Sequence, residues 1–565
     1  MQTSDGTFRL ATALVALSLS VGLLFQAKRH GAAGAAAADR ADIIVQFVET
    51  GNLDSQLSRV PGDARIYRKL PLIHAAALSI PVSEIGRIRA LPGVINVQLE
   101  ARVKRTMHDV TPAVGATTAF NSGYTGKGVG VAILDSGLSY HRDLVDSAGQ
   151  SRVKYSKILT PEMVQQDAYG HGSHVAGILG GTGAGTTGAQ FTKSFRGIAP
   201  GVHFLVYTVL NRYGEGRESD VIAAIDDVVA LRKKGLYNIR VMNLSLGKPV
   251  RVSYKLDPLC QAVERAWKAG IVVVVSAGNE GRNNSVNTQG YGTITSPGND
   301  PYVITVGALR PMGTTSRADD VLASYSSKGP TLLDRVVKPD LVAPGNKLVS
   351  VLAQDGRMRN TYMSNSAKLN YYVSGGADQL GDQYYWMSGT SMAAPVVAGA
   401  ATILLQKDST LTPDQVKYRL MKTASKAFPA YATATDASTG VSYTVRHDLM
   451  AIGAGYLDIA AALANSEKPS KPALSPLVVF NATTNQASLT APGGTSLLWG
   501  DSTATAWSAV WGSNIVSGTN QVWGNSLLWG DRTMIGFSLL WGDSLLWGDK
   551  TPSAETDGLL LAGDQ

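Results

Sequence analysis

The chain has 565 residues, 44% apolar and 17% charged. That is too long for one ordinary core, at roughly 100–200 residues per domain, and too apolar for a chain disordered throughout. Fifty-one basic against 43 acidic residues leave +8, a weak field over this length that does not mark a nucleic-acid binder. Cys260 is the single cysteine, so no intramolecular disulfide can form.

The first apolar run covers residues 10–25 and falls short of the roughly 20 residues that span a bilayer. Arg9 precedes it and small residues fill 32–38, so residues 1–40 read as an export signal peptide with a small-residue linker. Lys28-Arg29-His30 behind the run suits an uncleaved anchor instead. Residues 41–107 read as a small α+β unit. A strand begins at Ile43-Ile44-Val45. Val82, Ile85, Ile88 and Leu91 recur every third residue like one helix face, Pro92-Gly93 stops it, and residues 94–99 alternate like a half-buried strand.

Residues 108–465 alternate short apolar runs with helical patterns. The runs at 129–134, 203–209, 241–244, 271–275 and 303–306 suit strands buried on both faces of a parallel sheet. Helical patterns lie between them, as at 219–234 and 259–269. The pattern predicts a doubly wound α/β domain. Residues 466–495 read as a linker. Then Ser496-Leu-Leu-Trp-Gly-Asp501 recurs at 526–531, 538–543 and 544–549. In that frame, residues 496–549 form an array of six-residue repeats with an apolar third position throughout. Residues 550–565 are left as a tail.

Three motifs carry chemistry. In Val131-Ala-Ile-Leu-Asp135-Ser-Gly137 an acid ends a buried strand, where open α/β sheets line their functional crevice. In Tyr169-Gly-His171-Gly-Ser-His174-Val-Ala-Gly a histidine opens a helix. His171 and His174 lack the spacing and the intervening Glu of a zinc-protease helix. In Met387-Ser-Gly-Thr-Ser391-Met-Ala-Ala-Pro395 a serine precedes an apolar helix. Proline is tolerated mainly in a first turn, so that helix is expected to begin close to Ser391, at the positive end of its dipole. Gly183-Ala-Gly185-Thr-Thr-Gly188 imitates a dinucleotide fingerprint but follows a helix instead of a strand. Asn243-Leu-Ser245 fits a glycosylation triplet at the end of a buried strand.

Asp135, His171 and Ser391, in that chain order and each flanked by small residues, resemble the triad of the subtilisin-like serine proteases, the subtilases. The resemblance spans about residues 110–425. Ser173 stands where the family usually has Thr. The resemblance implies a subtilisin-like fold and a secreted endopeptidase working through an acyl-enzyme. Ser391 would be the nucleophile, His171 its base and Asp135 the group orienting it. Asn279, in Val275-Ser-Ala-Gly-Asn279, would donate to the oxyanion. Ser245, Leu246 and Gly247 would lie along the substrate backbone, Gly214 and Gly216 along its other side, and Ala277 and Gly278 beside the pocket for the residue before the scissile bond. Glu215 would favour basic substrate residues. No organic cofactor is implied; structural calcium is common in the family, but no ligand loop can be named here.

The same resemblance makes residues 41–107 an inhibitor-type propeptide, an intramolecular partner removed by self-processing within 100–110. Polypeptides are the expected substrates. For the repeats, the sequence leaves open a short β-solenoid, a tail ordered on a cell-surface partner, and cleaved ballast.

Overall fold

The computed structural model describes residues 40–492 except 50, 100–101, 106–111, 165, 286–287, 313–315, 437–438, 482–485 and 491, together with Gly563 and Asp564. The expected leader, most of the 100–110 processing window and the six-residue repeats lie outside the described residues. Two compact units form, dividing after residue 101.

The first unit is an antiparallel sheet of four strands in the order β2-β3-β1-β4. They are β1 (Arg40–Phe47), β2 (Arg65–Leu70), β3 (Ala75–Pro81) and β4 (Val94–Leu99). Alternation along β1 and β3 sends Ile43, Val45, Phe47, Ala76, Leu78 and Ile80 to one face. Ile85 and Ile88 of helix α1 (Ile85–Arg89) pack there. β1, β4 and the helix are legible in the sequence; β2 and β3 are not. β2 is mostly exposed, and Ala75-Ala76-Ala77 gives little hydrophobic alternation to detect. The helix is shorter than the 82–91 pattern at both ends: residues 82–84 form a separate 3₁₀ turn ahead of it, and Leu91 lies past its cap at Ala90.

In the second unit, β5 (Arg102–Arg105) lies apart from the main sheet. The main sheet joins β6 (Gly130–Asp135), β7 (Val153–Ile158), β8 (His203–Thr208), β10 (Ile239–Leu244), β12 (Val272–Ser276), β13 (Ile304–Arg310), β14 (Val321–Leu322) and β15 (Leu341–Pro344). Its path is β14-β13-β12-β10-β6-β8-β7, with β15 beside β13, and only the β13/β14 pair is antiparallel. Every residue of β6, β10 and β12 is buried, as continuous apolar runs require. Two further two-residue strands, β9 (Gly216–Arg217) and β11 (Leu246–Gly247), both pair with β5.

Helix α2 (His171–Gly180) packs on helix α3 (Thr390–Lys407), and α3 also lies along β10, β12, β13 and β15. Chain order along the sheet reverses direction at β6: β8 and β7 lie to one side, and β10, β12 and β13 to the other. Such a switch point opens a crevice at the carboxyl ends of the strands. Asp135 closes β6 at that crevice, and Ser245 follows the end of β10.

Candidate active site

Asp135 and His171 are brought together at the switch point. The Asp135 Oδ1 accepts from the Ser136 backbone N–H at 2.7 Å and lies 2.5 Å from His171 Nδ1. Both side chains are buried. A carboxylate can only accept, so this contact puts the imidazole proton on Nδ1 and leaves Nε2 as the basic nitrogen.

His171 is the first residue of α2, and a group that the sequence reading passed over fixes the start of that helix. Asp167 accepts from Gly170 N and Ser173 N, each at 2.7 Å, and from Ser136 Oγ at 2.7 Å. Its carboxylate thus ties the helix start to the residue after Asp135. Burial raises the Asp167 pKa, while the three donors pull the other way. The available signal was an Asp just ahead of a helix start. Ser173 Oγ accepts from Ser139 N at 2.9 Å, so the hydroxyl at this position is in use.

His174 turns away from this chemistry. Its Nε2 lies 2.9 Å from the Tyr385 carbonyl, and complete burial lowers its pKa to about 3. A neutral imidazole buried against a carbonyl is a packing group. Among the described residues no group of three or more His, Cys, Asp or Glu side chains gathers to hold a metal.

Ser391 is the second residue of α3, behind Gly389 at the cap. Pro395 sits in the second turn instead of the first, which corrects the reasoning used to locate the helix start, although the start itself falls at Thr390. A tertiary contact accommodates the proline there. Pro395 has no N–H for the Ser391 carbonyl four residues back, and Ser245 Oγ donates to that carbonyl at 2.7 Å in its place. In return, Ser391 Oγ donates to the Ser245 carbonyl at 3.0 Å. Asn243 Nδ2 donates to Ser245 Oγ at 2.9 Å and Asn243 is fully buried; its amide braces Ser245.

Asn279 follows β12 and faces the same helix start. Its Oδ1 accepts from both Thr390 N and Thr390 Oγ1 at 3.0 Å. This fixes which way the amide points. Its Nδ2 is buried and has no hydrogen-bond partner among the described residues. A buried donor held without an acceptor costs about 1–3 kcal/mol, so its orientation suits an oxygen that arrives with a reacting molecule. Thr390 was not singled out in the sequence, because only the tertiary contact gives it this task.

The remaining predicted residues line a strand-shaped track. β5 lies antiparallel between β9 and β11, with Val103 opposite Gly216, Lys104 opposite Gly247 and Arg105 opposite Leu246. Leu246 is buried. A side chain at Gly216 would put its Cβ 2.1 Å from the Val209 carbonyl; hence the track wall needs glycine there. Gly214 closes a turn onto the Asn211 carbonyl at 2.8 Å. Ala277 is buried, and Gly278 N meets Thr390 Oγ1 at 3.1 Å, so that segment is anchored to the Ser391 helix.

Comparison with known proteins follows the same outline. The model of the subtilase family matches residues 126–447. Serine protease AprX of Bacillus subtilis (strain 168) is 36% identical over 356 residues, covering 62% of this chain and 72% of AprX. Subtilisin E of the same strain is 29% identical over 422 residues, 73% of this chain and 92% of that protein. An extracellular serine proteinase of Thermus sp. (strain Rt41A) is 32% identical over 361 residues, 62% of this chain and 70% of that protein.

Proposed function

We propose a catalytic assignment for this chain, which belongs to the subtilase family and is a serine endopeptidase. Ser391 Oγ attacks the scissile carbonyl carbon while His171 Nε2 takes the hydroxyl proton. The imidazolium, steadied by Asp135, returns that proton to the leaving amine as the acyl-enzyme forms. Water then attacks the ester by the same route in reverse roles. Asn279 Nδ2–H and the Ser391 N–H donate to the oxygen as it gains charge. Ser245, Leu246 and Gly247 pair with one edge of an extended substrate, and Gly214 and Gly216 border the other. Ala277 and Gly278 wall the pocket.

The observation that carries this reading is the pairing of Asp135 with His171 beside a helix whose second residue is Ser391, faced by an amide donor with no acceptor. Labelling with a fluorophosphonate, with peptide mapping, tests it. Modification of Ser391, and none in Ser391→Ala or His171→Ala, is expected. Folded protein that remains unlabelled would overturn the assignment.

The proenzyme reading rests on the β5 ladder. The ladder pairs Lys104 with Gly247 and Arg105 with Leu246, and the neighbouring Ser245 carbonyl is 3.0 Å from Ser391 Oγ. Self-processing is therefore expected just beyond β5, within the 100–110 window, and removes the segment that begins at residue 41. Intact mass and N-terminal sequencing should give a mature chain beginning within residues 106–110, and an unprocessed Ser391→Ala protein. A mature start elsewhere, or trimming of Ser391→Ala, refutes it. Export through residues 1–40 completes the reading, in keeping with the extracellular relative.

A further inference from the structure

Far along the sequence from the triad, Gly563 and Asp564 are seated in the catalytic unit, and the seat is highly selective. Asp564 is 1% exposed. Its Oδ1 accepts from Arg282 Nη2 at 2.6 Å and Ser324 Oγ at 2.7 Å, and its Oδ2 from Ser324 N at 2.6 Å. Its backbone is read as well: Asp564 N donates to Asn346 Oδ1 at 2.8 Å, and Asn346 Nδ2 donates to the Asp564 carbonyl at 3.1 Å. With the backbone clamped there, a carboxylate one methylene further out would overshoot the donors. Gly563 has φ +58°, and a Cβ on it would come within 2.3 Å of Ser388 Oγ and 2.5 Å of Asn346 Oδ1. The socket therefore accepts glycine followed by aspartate.

The socket is preorganised. Arg282 is held by Asp436 at 2.7 Å and its Nε donates to Ser324 Oγ at 2.8 Å. A guanidinium fixed in this way loses little freedom when a second carboxylate arrives. The sequence supplies further ligands of the same kind. Residues 559–564, Leu-Leu-Leu-Ala-Gly-Asp, match Ser-Leu-Leu-Trp-Gly-Asp at four of six positions. Gly-Asp pairs end the repeats at 500–501, 530–531, 542–543 and 548–549.

We infer that Arg282, Ser324, Asn346 and Ser388 form a receptor for Gly-Asp pairs, and that the repeats of this chain are interchangeable ligands for it. Tethering raises the effective concentration of each pair to roughly the millimolar range, so the loss of any one is covered by the others. The array thereby keeps the socket filled. Arg282 is three residues past Asn279, and Ser388 is three before Ser391, so the occupant bears on both loops that carry the oxyanion donors.

The test is thermal unfolding of full-length protein in a Ser391→Ala background. Asp564→Asn alone, and the set Asp501→Asn, Asp531→Asn, Asp543→Asn and Asp549→Asn, are each expected to leave Tm within about 1 °C. All five together are expected to lower it by about 3 °C or more. Added acetyl-Ser-Leu-Leu-Trp-Gly-Asp-amide should restore the five-fold variant in a saturable way, and the peptide with Ala for Gly should not. The inference is overturned if Asp564→Asn alone matches the five-fold variant, if all five together change nothing, or if the Gly-Asp peptide fails to restore Tm.

Discussion

Replacing His174 with Gln should flatten the acid side of the stability profile. In the folded protein His174 is fully buried and its pKa is lowered to about 3 by desolvation; in the unfolded chain it returns to about 6.5. Between those values the unfolded chain holds one proton more than the folded one. Stability therefore rises with pH across that window and is lost as pH falls, by about 1.4 kcal/mol per unit well below pH 6.5. From pH 7 to pH 5 the loss from this one group is about 2 kcal/mol. Urea unfolding at both pH values, in Ser391→Ala protein to prevent self-digestion, measures it. The variant also loses the contact to the Tyr385 carbonyl, so its absolute stability will drop; the quantity that counts is the difference between pH 7 and 5. The parent should lose about 2 kcal/mol more than His174→Gln. Equal losses would refute the argument, because they would mean that His174 accepts a proton in the folded state.

Asn279→Ala should lower kcat by about 10²–10³ with little change in KM, the size of loss found for such a donor in subtilisin itself; steady-state kinetics on a peptide anilide would read it, and an equal loss of binding would contradict the assignment. Asp167→Asn turns an amide N–H₂ toward one of the three donors that Asp167 now accepts. It should cost about 1–3 kcal/mol in urea unfolding and lower kcat through a loosened His171. Asp340 lies between two buried lysines, 2.7 Å from Lys338 Nζ and 3.1 Å from Lys417 Nζ. Asp340→Asn leaves uncompensated buried charge and should destabilise by about 3–5 kcal/mol; a midpoint shift under 1 kcal/mol would count against it.

Much of the α/β unit was legible because its signals are local. Continuous apolar runs marked β6, β10 and β12, since a strand covered on both faces has no polar side to show. The three glycine-rich motifs were legible because each must turn sharply at a strand or helix end. The first unit was read only in part. β2 carries exposed charged residues and β3 opens with three alanines, and strands of that composition are defined by their neighbours.

The sequence by itself determined which residue types stand at the proposed catalytic positions: Asp135 ending a strand, His171 and Ser391 opening helices, Asn279 after a strand. These follow from chain-local periodicity and turn chemistry. Only the tertiary structure decided how those groups are held. Thr390 orients the Asn279 amide across 111 residues, Ser245 supplies the donor that Pro395 cannot across 146, and Asp564 finds Arg282 across 282. Hydrogen bonds at such separations leave no periodic trace in a sequence, because their partners are brought together by the packing of strands and helices whose own patterns record only which face is buried.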